Sequence, residues 1–326
     1  MRLLWWLLGF LSVAGAAHGQ NVTRGGELYA QWCVACHGPD PSVGSPRVVA
    51  NNPNALALAI NAQGQMRFLG AVLSSADINN IAAYVGSVVA PGGNVQPELG
   101  WYWNPVESGR GFFYERRGDS IYLAGFHYES DGRADWFVVP GVVSGGRFAA
   151  AMVELANGQT LTGPYRAPQS TPSPGFAQLT FGSTDAMALT WPGGVTPLVR
   201  FPFGSAGRVE PPQAGAPESG WWWNPAESGR GFAIEFQGSN VFVCGFMYDD
   251  AGRPIWYLTA GAMATPTRYT GVWQRFANGQ AMGAAWRQPT LVEANAGTVT
   301  LTFTDARNGT LTLPDGRTIP LTRFLF

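Results

Sequence analysis

The chain is short of the residues that do most acid–base, nucleophilic and anchoring chemistry. It has no lysine, so all 20 basic side chains are arginine, a bias of composition that carries no functional weight. Histidine occurs three times and cysteine three times. One of the histidines, His18, falls in the leader described below, so no Ser/His/Asp constellation can be assembled once His37 is committed elsewhere. Charged residues make up 13% and the formal net charge is −1, which excludes a broad basic face able to neutralise a phosphate backbone; no nucleic acid is expected as a partner. Beyond the first residues, no run approaches the roughly 20 apolar positions that span a bilayer as a helix.

At the N-terminus, Arg2 precedes an apolar stretch, Leu3-Leu4-Trp5-Trp6-Leu7-Leu8, that fades by Ala17. It is too short to cross a membrane. Ala17 and Gly19 occupy the −3 and −1 positions of a cleavage site before Gln20, so residues 1–19 read as a bacterial-type secretory signal and the mature protein is expected in the periplasm. No cysteine follows the cleavage point, and no transmembrane anchor is expected after cleavage.

What is present is a long apolar chain with internal order. With 326 residues, 46% of them hydrophobic, two or three domains with cores of their own are expected. Residues 20–89 show helical periodicity without strand alternation, and 90–99 form a turn-rich linker around Ala90-Pro91-Gly92-Gly93. The chain then repeats itself. Gly100-Trp101-Tyr102-Trp103-Asn104-Pro105-Val106-Glu107-Ser108-Gly109-Arg110-Gly111-Phe112 returns 120 positions later as Gly220-Trp221-Trp222-Trp223-Asn224-Pro225-Ala226-Glu227-Ser228-Gly229-Arg230-Gly231-Phe232. After a one-residue slip the match resumes at Ala156-Asn157-Gly158-Gln159 and Ala277-Asn278-Gly279-Gln280. Two tandem copies, 100–203 and 220–326, are expected around a second linker, 204–219. Aromatic and β-branched runs such as Ile121-Tyr122-Leu123-Ala124-Gly125-Phe126, broken by Gly, Asn, Asp and Pro, read as antiparallel strands. The fold class is therefore an all-α domain followed by two all-β domains of about eight strands each; barrel and sandwich both satisfy the pattern.

The chemistry concentrates in Cys33-Val34-Ala35-Cys36-His37. A Cys33–Cys36 disulfide is an alternative in an oxidising compartment, but two thiols one helical turn apart with a histidine directly after them point to covalent haem attachment. Such an iron takes a second axial ligand, for which the candidate is Met66, the only methionine of the mature N-terminal segment; a thioether opposite histidine raises the reduction potential.

These features, with the helix-forming Gly26-Glu27-Leu28-Tyr29, the loop Gly64-Gln65-Met66-Arg67-Phe68 and the segment Leu73-Ser74-Ser75-Ala76-Asp77-Ile78, make residues 20–89 resemble the small monohaem cytochrome c family. The resemblance implies one haem c on Cys33 and Cys36, iron held by His37 and Met66, and a role for Pro46 in fixing the histidine ring through its carbonyl. It also implies crossing first and last helices, with Tyr84 against Tyr29 and close approach at Gly26. Ser74 and Asp77 suit a capping box, with Leu73 and Ile78 as its staple.

For the repeats, Trp101 and Trp103, like Trp221 and Trp223, share one face of a strand while Tyr102 and Trp222 point to the other. Glu107 with Arg110, and Glu227 with Arg230, suit ion pairs across turns. The signature serves either to pack the fold or to offer an aromatic platform to a glycan or other small molecule. His127 faces Met247 in the second copy, so a repeated metal site is not supported and a satisfied or exposed histidine is expected. Cys244 reads as a small buried hydrophobe. The functional expectation is a periplasmic electron-transfer cytochrome with an unidentified redox partner. A haem-dependent oxidoreductase with its substrate in the repeats, or an envelope-binding module with a haem redox sensor, remain open.

Overall fold

The computed structural model describes residues 21–326 apart from 42–45, 47–48, 51, 89–94, 145–146 and 206. The expected secretory signal at 1–19 and half of the expected first linker, 90–94, lie outside the described residues.

Among the described residues, five helices build the N-terminal segment: α1 (Val22–Trp32), α2 (Val34–His37), α3 (Pro53–Ala62), α4 (Leu69–Val72) and α5 (Ser75–Val88). Local chemistry sets their starts. The Asn21 side chain accepts from the Arg24 amide at 2.9 Å, and Asn52 caps α3 from the Ala55 amide at 3.0 Å with Pro53 entering the first turn, each meeting a donor that the helix leaves unpaired. At α5, the Ser74 hydroxyl donates to Asp77 at 2.7 Å while the Asp77 amide donates back to Ser74 Oγ at 3.2 Å, a reciprocal box. Helices α1 and α5 cross where Gly25 meets the Asn80 carbonyl; a Cβ on Gly25 would sit 1.9 Å from that oxygen. The closest approach is thus at Gly25, one residue before the expected Gly26, which instead faces the Tyr84 ring. Tyr29 and Tyr84 do pack together, with ring centroids 5.7 Å apart.

The rest of the chain forms two antiparallel barrels. The first contains β1 (Gly100–Trp103), β2 (Gly111–Arg117), β3 (Ser120–Tyr128), β4 (Ala134–Ser144), β5 (Arg147–Ala151), β6 (Leu155–Ala156), β7 (Gln169–Ser170), β8 (Phe176–Phe181), β9 (Ala186–Trp191) and β10 (Gly194–Arg200). Eight of these close in the order β1-β10-β9-β8-β5-β4-β3-β2, and β6 with β7 forms a side ribbon. The second repeats the plan: β11 (Gly220–Trp223), β12 (Gly231–Gln237), β13 (Asn240–Tyr248), β14 (Pro254–Ala262), β15 (Arg268–Val272), β16 (Arg275–Ala277), β17 (Thr290–Glu293), β18 (Thr298–Phe303), β19 (Asn308–Thr312) and β20 (Thr318–Arg323). Its eight main strands run β14-β13-β12-β11-β20-β19-β18-β15. The two end strands are joined by a buried 2.6 Å hydrogen bond between Thr259 and Tyr269, so this barrel is nearly closed. Barrel is therefore the answer where the sequence also admitted a sandwich.

Strand alternation sends two sets of side chains in opposite directions. In the first barrel, Tyr102, Phe112, Tyr114, Leu123, Phe137 and Leu189 fill the interior. Trp101, Phe113, Phe126, Tyr128 and Trp136 point outward, yet all five are buried, because they pack against the second barrel. The outer faces of two small barrels make one continuous core, each large side chain contributing about 1.5–3 kcal/mol through burial.

Candidate functional site

Two places concentrate chemistry: the attachment motif and the seam between the barrels. At the first, α1 ends on Cys33, whose amide donates to the Tyr29 carbonyl at 2.8 Å. The short helix α2 follows, with the His37 amide donating to the Cys33 carbonyl at 2.9 Å. This bend places Cys33 inside the apolar cluster and leaves Cys36 exposed, both as free thiols. Burial, then the neighbouring Cys36, pushes the Cys33 thiol up to about 11, so the sulfur sits in a low-dielectric setting. The Tyr29 hydroxyl donates to the Gly38 carbonyl at 3.3 Å, tying the residue after His37 back to α1.

Met66 is half-buried and packs on the same cluster as Cys33, Leu28, Leu69 and Val85. Pro46 is buried. Around them, Phe68 stays 54% exposed and Val72 48% exposed, although Phe68 approaches the Trp32 ring to 6.2 Å; this is apolar surface that a large flat group would cover. Two unbridged thiols on adjoining turns, an imidazole directly after them, a thioether on the shared cluster and an uncovered apolar rim fit haem c.

The seam shows a pseudo-twofold plan that the sequence did not disclose. Glu235 of the second barrel accepts from the Trp101 amide at 2.6 Å and pairs with Arg200 of the first through bonds of 2.6 and 3.2 Å. Reciprocally, Glu115 of the first barrel accepts from the Trp221 amide at 3.1 Å and pairs with Arg323 of the second at 2.6 Å. These four side chains are at most 6% exposed. Trp136 Nε1 donates to the Met247 carbonyl at 3.0 Å, and Trp256 Nε1 to the His127 carbonyl at 3.3 Å. The repeated Ala-Asn-Gly-Gln explains itself here. Asn157 and Asn278 both adopt φ of 62°, a left-handed conformation that asparagine tolerates better than most residues. Their amides reach the Gly252 and Gly132 carbonyls of the opposite barrel at 2.6 Å each. Gly158 and Gly279 lie so close to Tyr248 and Tyr128 that a Cβ would fall 2.0 Å from the ring.

The turn ion pairs form as expected: Arg110 meets Glu107 at 2.6 Å, and Arg230 meets Glu227. The outward tryptophans are covered rather than presented as an open platform, but they leave two narrow clefts along the seam. The first, about 230 Å³, is lined by Trp101, Trp103, Tyr128, Phe242 and Trp256 with Arg110 at its edge. The second, about 170 Å³, holds the equivalent Trp221, Trp223, Trp136 and Arg230. Their polar groups differ. Arg230 donates to the Leu161 carbonyl at 2.9 Å, Gln159 with its oxygen turned inward accepts from Arg230 Nε at 2.9 Å, and Trp221 Nε1 reaches the Tyr122 carbonyl at 3.3 Å. In the first cleft Arg110 Nε and Nη1 and Trp101 Nε1 are buried without a partner. Sequence reasoning missed Glu115, Glu235, Arg200 and Arg323; the only available signal was that each glutamate and each arginine recurs at the matching position of the other repeat.

His127 is buried, with Nδ1 3.1 Å from the Tyr128 carbonyl oxygen and Nε2 lacking a partner; it is neither exposed nor fully satisfied. Cys244 is a buried free thiol, as expected of a small hydrophobe. Among the described residues, no helix is long and apolar enough to cross a membrane.

Residues 20–85 match the family model described as cytochrome c oxidase, cbb3-type, subunit III. The N-terminal segment is a small cytochrome c domain of the monohaem type. A search of curated proteins found no match to the chain.

Proposed function

We propose that this chain is an exported electron-transfer cytochrome in which Cys33 and Cys36 attach one haem c, His37 and Met66 ligate its iron, and the paired barrels dock a redox partner or hold a ligand. The observation that carries this reading is the Cys33–His37 bend itself, with one thiol buried, the other exposed and the imidazole on the same short helix. When bound, haem c supplies reversible one-electron exchange between Fe(III) and Fe(II).

The protein's part is to hold and to shield. Cys33 and Cys36 supply the two sulfurs, and the tie from Tyr29 to the Gly38 carbonyl steadies the turn that carries His37. Leu28, Leu69 and Val85 exclude water from the Met66 side, and Pro46 is the residue assigned to orient the His37 ring. With His37 and Met66 both holding the iron, no position would remain on it for substrate, which would favour outer-sphere transfer over catalysis. The secretory leader and the extracytoplasmic habit of cytochrome c domains support a periplasmic location.

A second reading, ligand binding by the barrels, has one specific support. The first cleft keeps three buried N–H donors on Arg110 and Trp101 unpaired beside aromatic walls, a setting that suits a flat apolar molecule bearing oxygen acceptors, glycan being the more polar alternative.

Expression in a host competent for cytochrome c maturation tests the main reading. The purified protein should give one pyridine haemochrome per chain that resists acid-acetone extraction. The double variant Cys33→Ser/Cys36→Ser should lose it, and Met66→Ala should keep the haem but lower its potential. Colourless wild-type protein from that host defeats the proposal.

A further inference from the structure

One end of the first barrel's interior carries polar groups that its partner lacks. His127 on β3 and Asp135 on β4 are directly opposed across the ladder, and Glu154 follows β5 onto the same spot. Their donor atoms all lie within 4.8 Å of one another, a spread that would close by roughly 1 Å around an ion held about 2.0–2.2 Å from each donor.

The histidine is prepared for such a role. A carbonyl oxygen only accepts, so the 3.1 Å contact with Tyr128 fixes the proton on Nδ1 and leaves Nε2 as a lone pair. That Nε2 is buried, its residue 1% exposed, and it has no partner. A backbone carbonyl behind the far nitrogen is the usual outer support of a metal-bound imidazole. Asp135 accepts from the Trp136 amide at 2.8 Å through one oxygen, and Glu129 lies within hydrogen-bond reach of its carboxyl.

The fold does not need these groups. At the matching positions the second barrel has Met247, Ile255 and Arg275, the first two buried, so the same architecture closes with other side chains. A cavity of about 320 Å³ lined by Asp135, Glu154, Arg133 and Arg253 leads to the cluster. Glu129 stands beside Asp135, and the nearby Arg110 is neutralised by Glu107.

We propose that His127, Asp135 and Glu154 bind one divalent first-row transition-metal ion, in the first barrel only. One imidazole and two carboxylates without a thiolate suit Zn²⁺, Mn²⁺ or Fe²⁺, and the carboxylates balance the ion's charge. Three protein donors leave a further position for water from the cavity side.

The test uses full-length haem-loaded protein, stripped with chelator and titrated with Zn²⁺ by calorimetry, with zinc-to-iron ratios measured after desalting. One equivalent of zinc per iron is expected. Binding should be abolished in His127→Met/Asp135→Ile/Glu154→Arg, which copies the second barrel, and weakened at least tenfold in Glu154→Gln, whose half-buried site keeps the fold safe. Wild type that takes up no Zn²⁺ overturns the proposal, as does unchanged uptake in Glu154→Gln together with any folded form of the triple variant. Should the triple variant not fold, Glu154→Gln decides alone.

Discussion

The two barrels are near copies in backbone and unlike in their ends. Four kinds of contact that join them are duplicated: glutamate to arginine, tryptophan N–H to carbonyl, asparagine amide to glycine carbonyl, glycine against tyrosine, each occurring once in either direction. Outside these paired contacts the copies have drifted. Arg230 is fully engaged where Arg110 keeps free donors, and His127, Asp135 and Glu154 face Met247, Ile255 and Arg275. The arrangement is that of a twofold dimer carried on one chain: in an isologous interface each patch meets its own copy, so a change there must suit both sides. Side chains elsewhere meet no such demand and are free to take separate roles.

The largest expected effect lies at the joint. Glu115→Ala and Glu235→Ala each strand a buried arginine, and each should cost about 3–5 kcal/mol, read from denaturant melts of the β region. The two costs should agree within about 1 kcal/mol if the interface is symmetric in energy as well as in shape. A loss under about 1 kcal/mol for either would break the comparison.

A smaller effect sharpens the asymmetry. Arg230→Met removes hydrogen bonds to the Leu161 carbonyl and Gln159, whereas Arg110→Met removes a side chain with two unpaired nitrogens. Both changes break the turn ion pair, so the difference isolates the remaining bonds. Arg230→Met should be the more destabilising by about 1–3 kcal/mol, and equal melts would show the clefts to be equivalent.

The smallest effect belongs to the α domain and serves as the control for the other two. Ser74→Ala removes the cap of α5 and should cost about 0.5–1 kcal/mol, seen as faster amide exchange in α5 with the barrels unchanged. Its hydrogen bonds from Ser74 hold the Asp77 carboxyl below its ordinary value. The folded state therefore binds its proton less readily than the unfolded chain. The contribution is present above the ordinary carboxylate pKa of about 4 and is lost as pH falls through the lowered folded value, so the gap between wild type and variant should narrow in acid.

The legibility of these features followed the range of the interactions behind them. The cap at Ser74 and the turn pairs at Arg110 and Arg230 each involve residues within four positions, and all were readable. The crossing of α1 and α5 was readable to within one residue, because both Gly25 and Gly26 offer a small face and only packing selects between them. His127 was misjudged: comparison with Met247 argued against a repeated metal site, but could not show that Asp135 would stand opposite and Glu154 close by. The aromatic signature admitted both packing and binding, since alternation states which side chains leave a strand's face and not what they meet.

The sequence alone determined that a helical cytochrome c segment precedes two copies of a strand-rich unit, because helix and strand periods, turn residues and a five-residue motif are local properties of the chain. Only tertiary structure decided that the strands close into barrels and that the copies bury their outer tryptophans against one another. It alone joined Glu115 to Arg323, 208 positions away. Such contacts are fixed by how two finished surfaces fit, which no local pattern along a chain encodes.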